Sequence, residues 1–219
     1  MCQYSSEDGF ATDWHLVHLG SRAVGGAAAV LTEATAVTPE GRISPDDLGI
    51  WQDAHIEMLA RIFRFVAAHG AAPGMQLSHA GRKASTRTPF KGGGPLAVAD
   101  GGWTPILGPS PIPFADGYQT PTELDADGLR AIVEAFTDAA RRVRDAGGQF
   151  IEVHGAHGYL LHEFLSPLSN HRTDGYGGSF DGRIRLLTEV VAGVRSVWPE
   201  NLPLLVRLSA TTGPTAAGP

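Results

Sequence analysis

The chain has 219 residues, 42% of them hydrophobic, which is enough for one substantial core and too few for two domains of ordinary size. A formal charge of −6 and a pI near 5.8 lack the basic footprint of a nucleic-acid binder, and a single cysteine excludes an intrachain disulfide framework. The longest apolar run, around Ala27 to Leu31, is far short of the roughly 20 residues of a membrane span, and no charged-then-apolar leader opens the sequence. A soluble, cytoplasmic protein is expected, with the 28 Gly and 15 Pro spent on many turns rather than on disorder.

In chain order, the apolar stretch from Ala27 to Val37, bounded by Gly26 and Pro39, predicts a strand buried on both faces. Ile56, Leu59, Phe63 and Val66 recur at helical spacing over Asp53 to Ala68, with Gly70 as a stop, and Pro73 to Ser78 follows as a second strand. Asp125 is placed to cap a helix whose face is Leu129, Ile132, Val133, Phe136, Ala140 and Val143, ending at Gly147-Gly148. A strand at Phe150 to Val153 comes next. Ser179 caps another helix carrying Ile184, Leu187, Val191 and Val194, and Pro199 precedes a last strand, Leu204 to Leu208. Strands alternating with helices predict a parallel sheet with helical crossovers.

One segment breaks the rhythm. From Gly81 to Pro121 there is turn chemistry, Gly92-Gly-Gly-Pro95 and Pro109-Ser-Pro-Ile-Pro113, but no period. Long loops inside compact domains are usually functional, so a lid or excursion over the mouth of the sheet is expected, with a disordered insertion as the alternative. His79 and Arg82 are read as stabilising its start.

The densest chemistry lies from His154 to Ser179, where His154, His157 and Tyr159 follow a strand at once. In α/β barrels this edge is where active sites are built. Two imidazole donors and a phenol can hold a developing oxyanion and supply a proton without a metal. The same histidines at this spacing can also share a metal ion, with His162, His171 and Asp174 near in sequence, which keeps a metal hydrolase open. Cys2 alone reads as an inert buried thiol and Arg207 alone as a structural ion pair. Gln76 and Ala34 carry no signal by themselves.

Taken in order, Met1-Cys-Gln-Tyr-Ser5, Glu33-Ala-Thr-Ala36, Gly41-Arg-Ile43, Asp47-Leu-Gly-Ile-Trp51, Gln76-Leu-Ser-His-Ala-Gly-Arg-Lys83, the His154 block and Val206-Arg-Leu-Ser-Ala210 resemble the Old Yellow Enzyme family of flavin-dependent ene-reductases. The likeness is to its bacterial, cysteine-containing NADPH dehydrogenase branch, and it covers almost the whole chain. It implies a (β/α)8 TIM barrel that binds FMN at its C-terminal mouth, takes hydride from NADPH or NADH, and reduces an α,β-unsaturated carbonyl or nitro compound. By the same resemblance His154 and His157 bind the substrate oxygen, Tyr159 donates the proton to the α-carbon, and Tyr4 lines the substrate pocket. Gln76 and Arg207 contact the flavin ring, Ala34 lies against its reactive edge, and Cys2 tunes its potential. No metal is implied; a homo-oligomer is one option for the complete enzyme, and the sequence leaves the oligomeric state open. The related dienoyl-CoA reductase and amine dehydrogenase group, and a non-catalytic barrel remnant, stay open as alternatives.

Against that pattern the first strand is mostly missing and strands six to eight are absent, so residues 1–211 are expected to form a partial barrel domain. Residues 212–219 read as an unrelated tail. A GC-rich coding of the family's Asp-Trp-Pro-Asp-Gly-Gly-Trp-Thr turn, read one base late, translates as Thr-Gly-Pro-Thr-Ala-Ala-Gly-Pro, the sequence of 212–219. A frameshift is therefore expected there, and the activity of the chain as it stands is left open.

Overall fold

A computed structural model describes residues 2–210; the expected tail at 212–219 lies outside the described residues. Four parallel strands, β1 (Ala29–Ala36), β2 (Ala72–Ser78), β5 (Phe150–Gly155) and β6 (Leu204–Leu208), form one sheet in the order β1-β2-β5-β6. Crossovers run through helices α2 (Ile56–Ala68), α3 (Ala126–Asp145) and α5 (Phe180–Val197), as the alternation of apolar runs predicts. Both N-caps read from the sequence are made: Asp125 Oδ1 accepts the Gly128 N–H at 2.8 Å and Ser179 Oγ accepts the Gly182 N–H at 3.1 Å. Each satisfies a helix-end donor that has no partner within the helix.

One side of the sheet is dry. Met75, Leu77, Ile151 and Val153 point to it and are fully buried against Leu59, Ile62, Phe63 and Val66 of α2, Ile132, Phe136 and Ala140 of α3, and Leu186, Val190 and Val194 of α5. Emptying one of these sites, as in Phe136→Ala, is expected to cost about 3–5 kcal/mol. The α5 face differs from the sequence reading: Leu186 and Val190 are buried while Ile184 and Val191 are only half-buried, so the helix is turned by part of a residue step toward α3. Strand β6 leaves Leu205, Val206 and Leu208 exposed.

Two helices have no counterpart in the predicted order. Helix α1 (Asp13–Val24) buries His15, Leu19, Gly20 and Ala23 while Trp14 and Val17 face outward, so its buried stripe is not an apolar stripe. Its start is also unorthodox, because the His15 ring nitrogen accepts the Thr12 N–H at 3.0 Å where a Glu or Gln is expected. Helix α4 (Leu160–Leu165) is too short to show a period. Within the excursion lie three short 3-10 turns, Gly81–Lys83, Pro89–Lys91 and Val98–Asp100, and strand β3 (Leu107–Gly108), which pairs in parallel with β4 (Thr122–Glu123). Among the described residues no helix is long and apolar enough to cross a membrane.

Candidate active site

Residues in register across a parallel sheet lie on the same face, and that face repeats every second residue. Ala34 is in register with Gln76, Gln76 with Glu152, and His154, two residues beyond Glu152, with Arg207. Register alone therefore puts Ala34, Gln76, His154 and Arg207 on the side of the sheet away from the helices. These four, with Cys2, Tyr4, His157, Tyr159 and Pro89, line one cleft of 450 Å³ at the C-terminal ends of the strands. All eight residues singled out from the sequence meet there. Pro89, from the excursion, was not foreseen; its ring neighbour Phe90 packs edge to face with Tyr4, centroids 6.0 Å apart.

After β5 the chain turns sharply. His157 has φ +61°, a left-handed conformation that a non-glycine residue seldom adopts, and Gly158 follows at +71°. This turn brings the three rings together. His154 meets His157 edge to face at 5.0 Å and Tyr159 at 5.2 Å between centroids. His157 is braced on both sides, its carbonyl accepting from Lys83 Nζ at 2.7 Å and its N–H donating to Ser209 Oγ at 3.0 Å.

Burial sets the protonation of the site. The His154 side chain, only 3% exposed, is desolvated and lies near His157 and Arg207, so its pKa falls to about 3. His157 is lowered in the same direction by burial, Arg207 and Lys83. Both imidazoles are therefore neutral near pH 7. Burial, then Cys2 and Asp47, raises the Tyr159 phenol well above its ordinary value, and burial does the same for Tyr4. The Cys2 thiol is pushed up to about 12 by burial, with Asp47 and Glu33 adding to the effect. At neutral pH the cleft thus offers neutral donors and one cation, Arg207, for which no ion pair is found among the described residues. That separates Arg207 from the structural-pair reading.

Two of the three nearby groups that suggested a metal, His162 and Asp174, are engaged elsewhere. His162 Nδ1 accepts the Gly158 N–H at 2.7 Å, and Asp174 takes two bonds from the Arg172 guanidinium at 3.0 and 2.5 Å. Among the described residues no three His, Cys, Asp or Glu side chains converge as metal ligands. His79 and Arg82 sit at the start of the excursion: the His79 ring accepts the Gly81 N–H, and the Arg82 guanidinium donates to the carbonyls of Ile112 and Pro113.

The sequence profile of the NADH:flavin oxidoreductase / NADH oxidase family matches residues 1–217. The chain belongs to this family. An NADH:flavin oxidoreductase of Gibberella zeae is 47% identical over 214 residues, covering 96% of this chain and 52% of the relative. An NADPH dehydrogenase of Bacillus subtilis is 46% identical over 213 residues, covering 96% and 58%. The chain therefore spans a little over half the length of these relatives. Among solved structures, morphinone reductase superposes with a TM-score of 0.82 at 29% identity, over 95% of this chain and 56% of the other, and an Old Yellow Enzyme from Pichia with the same score and identity over 95% and 54%. The architecture is thus that of the Old Yellow Enzyme α/β barrel, of which this chain supplies part of the wall.

The family's flavin can be tested against the groups present. An isoalloxazine edge carries both acceptors and an N–H, and gathers negative charge on reduction. Gln76 offers an amide with both polarities, its Nε2 held by Glu152 Oε1 at 2.5 Å, and Arg207 offers a cation. The buried Nδ1 of His154 has no hydrogen-bond partner among the described residues, as expected of a group that bonds a ligand. Ala34 keeps the β1 side of the cleft low. The ring end of a flavin oxidoreductase cofactor fits this donor set, whereas Arg207 is the one cation among the cleft's described lining residues.

Proposed function

We propose that this cleft is the active site of an FMN-dependent NAD(P)H ene-reductase acting on α,β-unsaturated carbonyl or nitro compounds. When bound, FMN supplies the chemistry of accepting hydride from NADPH or NADH and passing it to the β-carbon of the alkene. Gln76 and Arg207 would hold its pyrimidine edge, Ala34 would underlie its reactive edge, and Cys2 would tune its potential as an uncharged thiol. The complete enzyme is proposed to act as a homo-oligomer.

The chain's own part begins with the substrate oxygen. His154 and His157, both neutral, each present one N–H, and two such donors converging on a carbonyl or nitro oxygen stabilise the enolate-like charge that develops there. One preorganised donor of this kind is typically worth about 3–4 kcal/mol. Neutrality matters because an imidazolium would protonate the oxygen early. Tyr159, 5.2 Å from His154 between ring centroids, would deliver the proton to the α-carbon from its O–H. Its raised pKa keeps that proton in place at neutral pH, yet a carbanion is basic enough to take it. Tyr4 and Pro89 would wall the substrate side and exclude water.

The observation that supports this reading most is the gathering of two neutral imidazoles, a protonated phenol and a guanidinium with no ion pair among the described residues around one cleft. The test is to load the purified chain with FMN, add NADPH without oxygen, and then add 2-cyclohexenone. The reading expects flavin bleaching and then its reversal by the enone. A chain that binds FMN and bleaches with NADPH but is not reoxidised by any enone or nitroalkene would rule it out.

A further inference from the structure

Outside the cleft, the most heavily buried acid of the molecule is without an assigned role. Glu163, on α4, is 1% exposed; its Oε1 accepts the Arg82 N–H at 2.9 Å and its Oε2 has no hydrogen-bond partner among the described residues. It lies directly beneath the Gly81–Lys83 turn. Gly81 has φ +61°, and a Cβ there would stand 2.3 Å from Glu163 Oε1, so the turn has closed onto the carboxyl group as tightly as the backbone permits. The third residue of that turn is Lys83, whose ammonium donates to the His157 carbonyl and lies 5.5 Å from the Tyr159 ring centroid and 4.5 Å from that of Phe114. On the other side, the Glu163 N–H donates to the Tyr159 carbonyl at 2.8 Å.

These contacts close a ring: from His157 along the chain through Tyr159 to Glu163, across to Arg82, along to Lys83, and back to His157. Neither Glu163 nor Lys83 lines the cleft. We propose that Glu163 and Lys83 are positioning residues, a two-point clamp that holds His157 in its left-handed conformation and thereby aims His157 and Tyr159 at the substrate. A left-handed non-glycine residue is strained and persists only where its surroundings enforce it. Here the Lys83 ammonium supplies that enforcement at the carbonyl, and Glu163 fixes where the ammonium can stand. The carboxyl works as an acceptor in an apolar setting, so a neutral amide can replace it.

The clamp is tested by amide hydrogen exchange on the full chain, with phenol binding to the FMN-loaded chain as a second readout; only the second rests on the proposed function. In Glu163→Leu and Lys83→Met, the amides of His157, Gly158 and Tyr159 should exchange about tenfold faster, while those of Leu77 and Val153 in the sheet stay as in the wild type. Glu163→Gln and Lys83→Arg, which keep the acceptor and the donor, should restore protection. Phenol affinity should drop about tenfold in the first pair and recover in the second. Uniform acceleration across sheet and loop in both Glu163→Leu and Lys83→Met would assign the two residues to general stability and overturn the clamp, as would unchanged loop exchange. If the loop responds as expected but the loaded chain reduces no alkene, the clamp stands and the proposed function fails.

Discussion

The rings of His154 and His157 stand nearly perpendicular, at 80°, with 5.0 Å between centroids. Edge-to-face contact keeps the imidazoles from stacking on each other and sets their ring planes in different directions beside the cleft. The crowding also explains their charge state: a proton on His154 would be desolvated and would face His157 and Arg207, and one on His157 would lose solvation and face Arg207 and Lys83. Two neutral donors, rather than one cation, are what the site can bring to a substrate oxygen.

Removing one of these donors should be felt in the chemistry and not in the cofactor. In the FMN-loaded chain, His154→Ala is expected to lower kcat/KM for enone reduction by about 10²-fold and to weaken phenol binding, with FMN still bound. Steady-state kinetics and the flavin absorbance of the purified variant check both halves. Retained enone kinetics would remove His154 from oxygen binding.

Cys2 should be a poor nucleophile despite standing in the cleft. Its pKa moves from 9.0 to about 12, so at pH 8 the thiolate fraction is lower by about a thousandfold, and the thiolate is the reactive form. Iodoacetamide labelling followed by mass spectrometry should be far slower in the folded chain than in urea. Equal rates would show that the thiol is not desolvated as described.

His154, His157 and Tyr159 were legible because they follow an apolar run at once. Gln76, Ala34, Cys2 and Arg207 were legible only through the short motifs that resemble the family, since alone they carry no signal or read as structural, and the in-register parallel sheet shows what brings Ala34, Gln76, His154 and Arg207 to one face. The caps at Asp125 and Ser179 were equally plain, being local chemistry. Helix α1 was not, because its buried positions include a histidine and a glycine. The Lys83 to His157 and Arg82 to Glu163 contacts join residues 74 and 81 apart, so no pattern in the sequence announces them. Pro89 reaches the cleft only through the path of an excursion that has turns but no period.

Stability should fall as pH rises from 7.5 to 9. His154 and His79, lowered by burial from 6.5 to about 3 and about 4, add stability as pH rises through 6.5, and from about pH 7.5 upward they are neutral in the folded and unfolded chain alike, so their contribution is then constant. Asp47 and Glu163 behave oppositely. Burial raises them from 3.8 to about 7 and from 4.5 to about 8, so the fold retains protons that the unfolded chain has already released. The folded state then binds more protons, and stability declines with pH until both groups have ionised. Thermal unfolding across this range should show a falling Tm, and Glu163→Gln should flatten the part between pH 7.5 and 8.5. A Tm that is level or rising in the wild type would contradict the burial of these two acids.

Tyr159 separates the two halves of the proposed reaction. The phenol is held at the first turn of α4, its backbone N–H on the Ala156 carbonyl at 3.3 Å and its ring against His154, so Tyr159→Phe removes the O–H and leaves the packing. Bleaching of bound FMN by NADPH needs no phenolic proton and should proceed at the wild-type rate. Reoxidation by 2-cyclohexenone needs the proton at the α-carbon and should slow by about 10²–10⁴-fold, the usual contribution of a positioned acid. Stopped-flow absorbance resolves the two steps in one sample. Because the phenol is raised far above neutrality, the residual rate of the variant should also gain a dependence on added weak acids, which can enter the space the hydroxyl leaves. If both half-reactions slow alike, Tyr159 supports the loop without donating the proton, and the donor must be sought among the other protonated groups of the cleft, with Tyr4 the first to replace.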